Sequence, residues 1–191
     1  MENYPKPMTH LKVVSRKDVL RTKLFRVSKV TFKGSTLKGL NKTHIHKNVL
    51  RDPIVVVFPM DEVGNVYLIR QYRYLLERTI LEAVAGHVDK GEKPISSAER
   101  ELFEETGIKA AQWEHMGMIE GSASVVRSVA HLFLARELKF GEPHPEEDED
   151  ISLVKIPLRE AIEKVISLEI QSSTTMVGLF LLKELRKKKK Q

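Results

Sequence analysis

Apolar and polar residues alternate along Phe25-Arg26-Val27-Ser28-Lys29-Val30-Thr31-Phe32, the pattern of a half-buried strand. Gly34-Ser35 and Gly39-Leu40-Asn41 punctuate this region as turns. Residues 1–50 therefore read as a small antiparallel β unit. Pro53 marks a boundary, and residues 51–191 read as the main domain. There Ile54-Val55-Val56-Val57-Phe58 is a continuous apolar run, as expected of a strand buried on both faces. Asp61 to Asn65 is a turn, Val66 to Tyr72 returns as a strand, and Thr79 to Val84 is another. A helix is expected from Pro94 to Thr106, stopped by Gly107. Strands follow at Trp113–Ile119 and Ala130–Glu137, then an acidic, proline-containing loop over 141–150 and a strand at Ile151–Ile156. Arg159–Leu168 and Thr174–Lys187 read as helices, the second with Met176, Leu179, Phe180, Leu182 and Leu185 on an apolar face. Strands with a few helices, lacking strict alternation, give an α+β or mixed-sheet α/β fold.

Composition narrows the classes. Hydrophobic residues make up 41% of the chain and charged residues 30%, which is a soluble globular balance. Cysteine is absent, so disulfides, thiolate metal sites and cysteine nucleophiles are excluded. No apolar run is long enough for a membrane helix. Met1 to His10 is polar, with two prolines and no apolar signal core. These features point to a cytoplasmic protein. The formal net charge is +6, partly from the run Arg186-Lys187-Lys188-Lys189-Lys190. No aromatic residues interleave with those cations, so they read as a solvated helix end and no nucleic-acid partner is expected.

The chemistry concentrates in Gly86 to Ile108. Pro94 suits a first helical turn, and Ile95, Ala98 and Leu102 fall on one stripe. Glu101 and Glu105 lie one turn apart on a face bordering that stripe, with Glu104 further round and Glu92 ahead of the helix. Like charges at this spacing cost roughly 0.2–0.5 kcal/mol per pair, and the last turn of a helix prefers cations. Such a cluster needs compensating charge. Arg100 and Lys109 can supply some, and a divalent cation more. Carboxylate oxygens are hard ligands suited to Mg²⁺ or Mn²⁺. A solvated acidic helix end would be the ordinary reading of a lone glutamate pair; the bracketing glycines argue against it.

This segment resembles the Nudix box, G-x5-E-x7-R-E-U-x-E-E-x-G-U, where U is a bulky apolar residue. Every fixed position is filled: Gly86, Glu92, Arg100, Glu101, Leu102, Glu104, Glu105, Gly107 and Ile108. The resemblance implies a loop–helix–loop on an α/β/α sandwich with a mixed sheet. It implies metal binding by Glu101 and Glu105 with Glu104 nearby, and by the backbone carbonyl of Ala85. Glu92 and Arg100 then orient the helix through a charge-assisted contact. The chemistry implied is hydrolysis of a pyrophosphate, whose charge metal ions neutralise while acidifying water.

Further stretches are similar to ADP-ribose pyrophosphatases and related nucleoside diphosphate sugar hydrolases. They are Leu68-Ile69-Arg70-Gln71-Tyr72-Arg73, Leu81 to Gly86, His131 to Ala135 and Glu146-Glu147-Asp148-Glu149-Asp150-Ile151. In that subfamily the acidic loop supplies the catalytic base and sometimes a metal ligand, so Glu147 and Glu149 become candidates. Arg73 is a candidate phosphate contact, since guanidinium suits phosphate oxygens. Arg70 is a weaker one, and Glu82 is a further candidate facing the site. His44 and His46 alternate on a strand but do not by themselves make a metal signature. The proline that ADP-ribose hydrolases usually carry in the loop after the box is Ala123 here. That departure sets GDP-mannose or another nucleoside diphosphate hexose beside ADP-ribose as substrate. The N-terminal strands resemble the family's exchanged dimerisation region, which implies a homodimer. Two rivals are a catalytically silent module sensing ADP-ribose or a nucleoside diphosphate sugar, and a pyrophosphatase acting on nucleoside triphosphates or dinucleoside polyphosphates. The complete acidic set argues against the first; the acidic loop and N-terminal unit argue against the second.

Overall fold

The computed structural model describes residues 11–35, 41–122, 124–145 and 150–188. Its strands in chain order are β1 (Leu11–Arg21), β2 (Phe25–Ser35), β3 (Asn41–Arg51), β4 (Ile54–Pro59), β5 (Asn65–Arg73), β6 (Arg78–Glu82), β7 (Val84–His87), β8 (Ile108–Glu120), β9 (Val126–Arg127), β10 (Val129–Phe140) and β11 (Ile151–Pro157). The helices are α1 (Pro94–Thr106), α2 (Leu158–Ile166) and α3 (Ser173–Lys188). The chain forms two compact units. One is Met1–Asp52 with Ser122–Ser128, the other Pro53–Gly121 with Val129–Gln191.

The first unit is a sheet in the order β1-β2-β3-β9. Its first hairpin turns on Thr22, whose hydroxyl accepts from the N–H of Leu24 at 3.2 Å and of Phe25 at 3.0 Å. The sequence pattern placed a turn at Gly34-Ser35, and the structure corrects this. Both residues pair with β3, Gly34 against Lys42 and Ser35 against Asn41, and Gly34 also pairs with Leu11 of β1. Partners on both sides hold this glycine in the ladder. Asn41, read as part of the next turn, opens β3. His44 and His46 flank Phe32 at ring-centroid distances of 5.3 and 5.0 Å, so they pack against an aromatic ring. The short strand β9 lies parallel to β3 and left no pattern to read in so few residues.

The second unit carries a mixed sheet, β7-β4-β10-β8, and an antiparallel sheet, β11-β5-β6. Strand β4 shows why its sequence is apolar throughout. Val56 and Phe58 pack into one core cluster with Leu132, Leu134, Ile162, Val165, Leu179 and Leu182. Val55 and Val57 pack into another with Ile69, Phe133, Ala98 and Leu102. Alternate side chains of a strand point to opposite faces. Helix α1 therefore covers one face, and α2 and α3 the other. In α3 the buried residues include Leu179 and Leu182, whereas Phe180 is exposed. The apolar face of α3 is thus narrower than its sequence pattern. No helix among the described residues is long and apolar enough to cross a membrane.

Candidate active site

Helix α1 is set by its two ends. Pro94 occupies its first turn, where a missing N–H costs nothing. Gly107 closes it at φ 69°, and its N–H donates to the Phe103 carbonyl at 2.7 Å. A side chain at Gly107 would collide with the Gly141 carbonyl, and the Gly141 N–H donates to the Gly107 carbonyl at 2.9 Å. The His144 N–H donates to the Glu104 carbonyl at 2.8 Å. The described start of the acidic segment is thereby fastened to the C-terminal end of α1. Strand β11 begins at Ile151, opposite Gln71 of β5.

Ala98 and Leu102 are fully buried beneath α1, which turns Glu101 and Glu105 toward the border of helix and sheet. Glu105 is 5% exposed, and the Glu101 side chain 15%. Neither carboxylate stands in bulk water. The Glu101 carboxylate occupies the space that a Cβ on Gly86 would fill, so glycine at that position admits it against β7.

Ladder geometry fixes the neighbouring backbone. The Val88 N–H donates to the Pro53 carbonyl at 2.9 Å. His87 stands opposite Ile54, and Ala85 opposite Val56. Hydrogen-bonded and non-bonded pairs alternate along an antiparallel ladder, so the Ala85 and His87 carbonyls face away from β4. Strand β7 is the edge of its sheet. The His87 carbonyl accordingly accepts from Arg100 Nη2 at 3.1 Å. Carboxylate oxygens from α1 and the Ala85 carbonyl thus offer hard oxygen donors of the kind Mg²⁺ or Mn²⁺ takes, in a cradle that an added Cβ would fill.

Arg100 organises the acidic face. Its Nη1 donates to Glu101 Oε1 at 2.8 Å and to Glu104 Oε2 at 3.1 Å. Its Nη2 donates to Glu92 Oε2 at 3.3 Å. Burial disfavours the arginine's charge, but its bonds to Glu92 and Glu101 outweigh that and hold it above the usual guanidinium range. The bond from Ser97, opposed by desolvation and helped by Arg100, holds the Glu92 carboxyl below the usual range. Ser97 Oγ, fully buried, donates to Glu92 Oε2 at 2.7 Å. The contact expected between Glu92 and Arg100 is present. Lys109 does not reach the carboxylates; its Nζ lies 4.5 Å from the centre of the Phe103 ring. Among the described residues no three carboxylate or imidazole groups already converge as a metal cage.

On β5 and β6 the structure joins two of the candidate residues. Arg73 Nε donates to Glu82 Oε1 at 2.7 Å. Arg73 is more than one-third exposed, at 37%, while the Glu82 side chain is 9% exposed. Arg70 is exposed, and strand alternation places it on the face opposite Arg73, so the two arginines do not converge. Glu147 and Glu149 lie outside the described residues, as does Ala123. Ser97 and Thr175 went unnoticed in the sequence. Thr175 Oγ1 accepts from the Ala83 N–H at 3.0 Å and so pins the junction leading to Ala85 and Gly86. A buried hydroxyl with one distant partner leaves no periodic signal; the spacing of Ser97 from Glu92 across a helix start was the only local cue.

Comparison with known proteins identifies the fold and the family. An ADP-ribose pyrophosphatase of Bacillus subtilis is 29% identical over 172 residues, covering 88% of this chain and 93% of that protein. A GDP-mannose pyrophosphatase of Cronobacter sakazakii is 32% identical over 127 residues, covering 62% of this chain and 66% of that protein. A crystal structure of an ADP compounds hydrolase superposes with a TM-score of 0.80 at 23% identity, covering 97% of this chain and 98% of that one. That likeness shows the fold, a mixed α+β architecture. The NUDIX domain model matches residues 50–173, and the chain belongs to the NUDIX family.

Proposed function

We propose that this protein hydrolyses the pyrophosphate bond of nucleoside diphosphate sugars. The substrate is ADP-ribose, cut to AMP and ribose 5-phosphate, or GDP-mannose or another nucleoside diphosphate hexose, cut to a nucleoside monophosphate and a sugar 1-phosphate. The observation that carries this reading is the seat of Glu101 on Gly86, beside the outward-facing Ala85 carbonyl. The relatives named as ADP-ribose and GDP-mannose pyrophosphatases support the substrate class.

Glu101, Glu105 and the Ala85 carbonyl would hold Mg²⁺, or Mn²⁺ in its place, and Glu104 and Glu149 would be its further ligands. When bound, the cation neutralises non-bridging phosphate oxygens and acidifies water. Arg73 takes a substrate phosphate, and Arg70 is the lesser contact. A loop glutamate, Glu149 or Glu147, accepts the proton of the attacking water. The anchoring of His144 to α1 and of Ile151 to β5 supports a role for the segment between them.

A homodimer and cytoplasmic action belong to the same proposal. In the first unit Val13, Val14, Val19, Leu20 and Ile45 are all more than half exposed, apolar side chains that a second copy of this chain would cover. A monomer by light scattering at working concentration would remove the dimer from the proposal.

The test of function is a Mg²⁺ assay across ADP-ribose, GDP-mannose, UDP-glucose, NADH and diadenosine polyphosphates, with products identified. Turnover is expected on the nucleoside diphosphate sugars. Turnover confined to the polyphosphates would overturn the substrate class. Tight ligand binding without turnover would make the protein a sensor.

A further inference from the structure

The register of β5 on β6 makes the Arg73–Glu82 contact a long reach. Arg73 stands opposite Arg78, Gln71 opposite Ile80, and Ile69 opposite Glu82. Arg73 and Glu82 are therefore two same-face rungs apart, about 13 Å along the strand at 3.3 Å per residue. Neither side chain spans that gap alone: Arg73 folds back along β5 and Glu82 leans toward it, on the face of β5 that also carries Gln71, which is 5% exposed. Left to itself, an arginine at the end of an edge hairpin extends into water. Here its Nε is bonded by a nearly buried carboxylate. The carboxylate is in turn fixed by its strand: the next residue, Ala83, is tied to Thr175 of α3, and Arg78 Nη2 bonds Gln171 Oε1 at 2.5 Å.

The direction of this reach matters. Glu82 lies three residues before Ala85 in the chain, so the guanidinium is drawn toward the junction from which β7 carries Ala85 and Gly86. Only its Nε is engaged among the described residues. The Nη1–Nη2 edge is left for a ligand, and two nitrogens on one edge match two oxygens of one phosphate.

We infer that Glu82 is a positioning residue: it draws Arg73 back along the sheet, so that the arginine's free edge meets a phosphate of the substrate, and does not itself touch substrate. This rests on the hydrolase reading above. It departs from the expectation that Glu82 faces the ligand directly.

The test is a double-mutant cycle with ADP-ribose and GDP-mannose in Mg²⁺, using whichever the wild type hydrolyses. Arg73→Ala is expected to raise KM at least tenfold. Glu82→Ala is expected to raise it by a similar factor in the wild-type background and less than twofold when Arg73 is already alanine. Glu82→Gln keeps an acceptor for Nε and is expected to recover most of the loss. Multiplying losses, or a fall in kcat from Glu82→Ala with KM unchanged, would overturn the positioning role while leaving the hydrolase reading intact. A wild type inactive on every nucleoside diphosphate sugar would overturn both. Should Glu82→Ala fail to fold, wild-type crystals soaked with α,β-methylene ADP-ribose decide the matter. Nε on Glu82 with Nη1 and Nη2 on phosphate supports the inference; a Glu82 carboxylate on the ligand overturns it.

Discussion

The carboxylate of Glu101 lies where a Cβ on Gly86 would stand. Two fixed points of the sequence motif, separated by a loop and two helical turns, are thus one packing relationship. Glycine at position 86 leaves a recess in the edge strand, and the glutamate fills it beside the Ala85 carbonyl.

Gly86→Ala is the direct test of that recess. The methyl group displaces the Glu101 carboxylate, the end of a flexible side chain, without touching the core. Affinity for Mn²⁺ is expected to fall at least tenfold, about 1.4 kcal/mol, with little change in Tm. Calorimetry and a thermal melt on the same sample check both halves.

The loop glutamates make a kinetic prediction. Glu149→Gln or Glu147→Gln is expected to cut kcat by well over tenfold, about 1.4 kcal/mol of barrier, with an unchanged melting curve. If neither substitution reaches tenfold, the proton acceptor is elsewhere.

The bond from Ser97 to Glu92 makes the helix start sensitive to acid. The Glu92 carboxyl is held below its ordinary range, first by Ser97. A depressed carboxylate pKa contributes stability above the unfolded value, near 4.3, which disappears as pH falls through the folded value. Ser97→Ala removes a hydrogen bond to a charged group, worth about 1.5–3 kcal/mol. The Tm gap between wild type and variant is expected at pH 7 and should close on acidification below pH 4. A gap constant across that range would show that Ser97 acts by packing alone.

Thr175 ties α3 to the β6–β7 junction through the Ala83 N–H. Thr175→Val keeps the shape and leaves that N–H unpaired, at a cost of about 1–3 kcal/mol. Denaturant unfolding measures this loss. Faster hydrogen exchange at Ala83 would locate it.

Much of the site was legible because its determinants are local. Proline and glycine bracket α1, the glutamates repeat with the helix turn, and the run from Ile54 to Phe58 announces a strand buried on both faces. What escaped depends on register. Arg73 and Glu82 meet across two rungs of a hairpin, and no sequence spacing encodes an arginine that folds back. Lys109 has the right charge and position to counter the carboxylates, yet the face of Phe103 holds it. Gly34 has the composition of a turn, but partners on both sides keep it in the sheet. Phe180 has helical spacing with Met176, yet lies beyond the area that β4 and its neighbours cover.

The central claim is that Glu101 and Glu105 grip divalent cations. Calorimetric titration of Mg²⁺ and Mn²⁺ into the wild type, Glu101→Gln and Glu105→Gln tests it most directly. Saturable binding by the wild type, weakened at least tenfold in each variant, is the result expected. Wild-type protein that ignores both metals, or variants that bind them equally well, would contradict it.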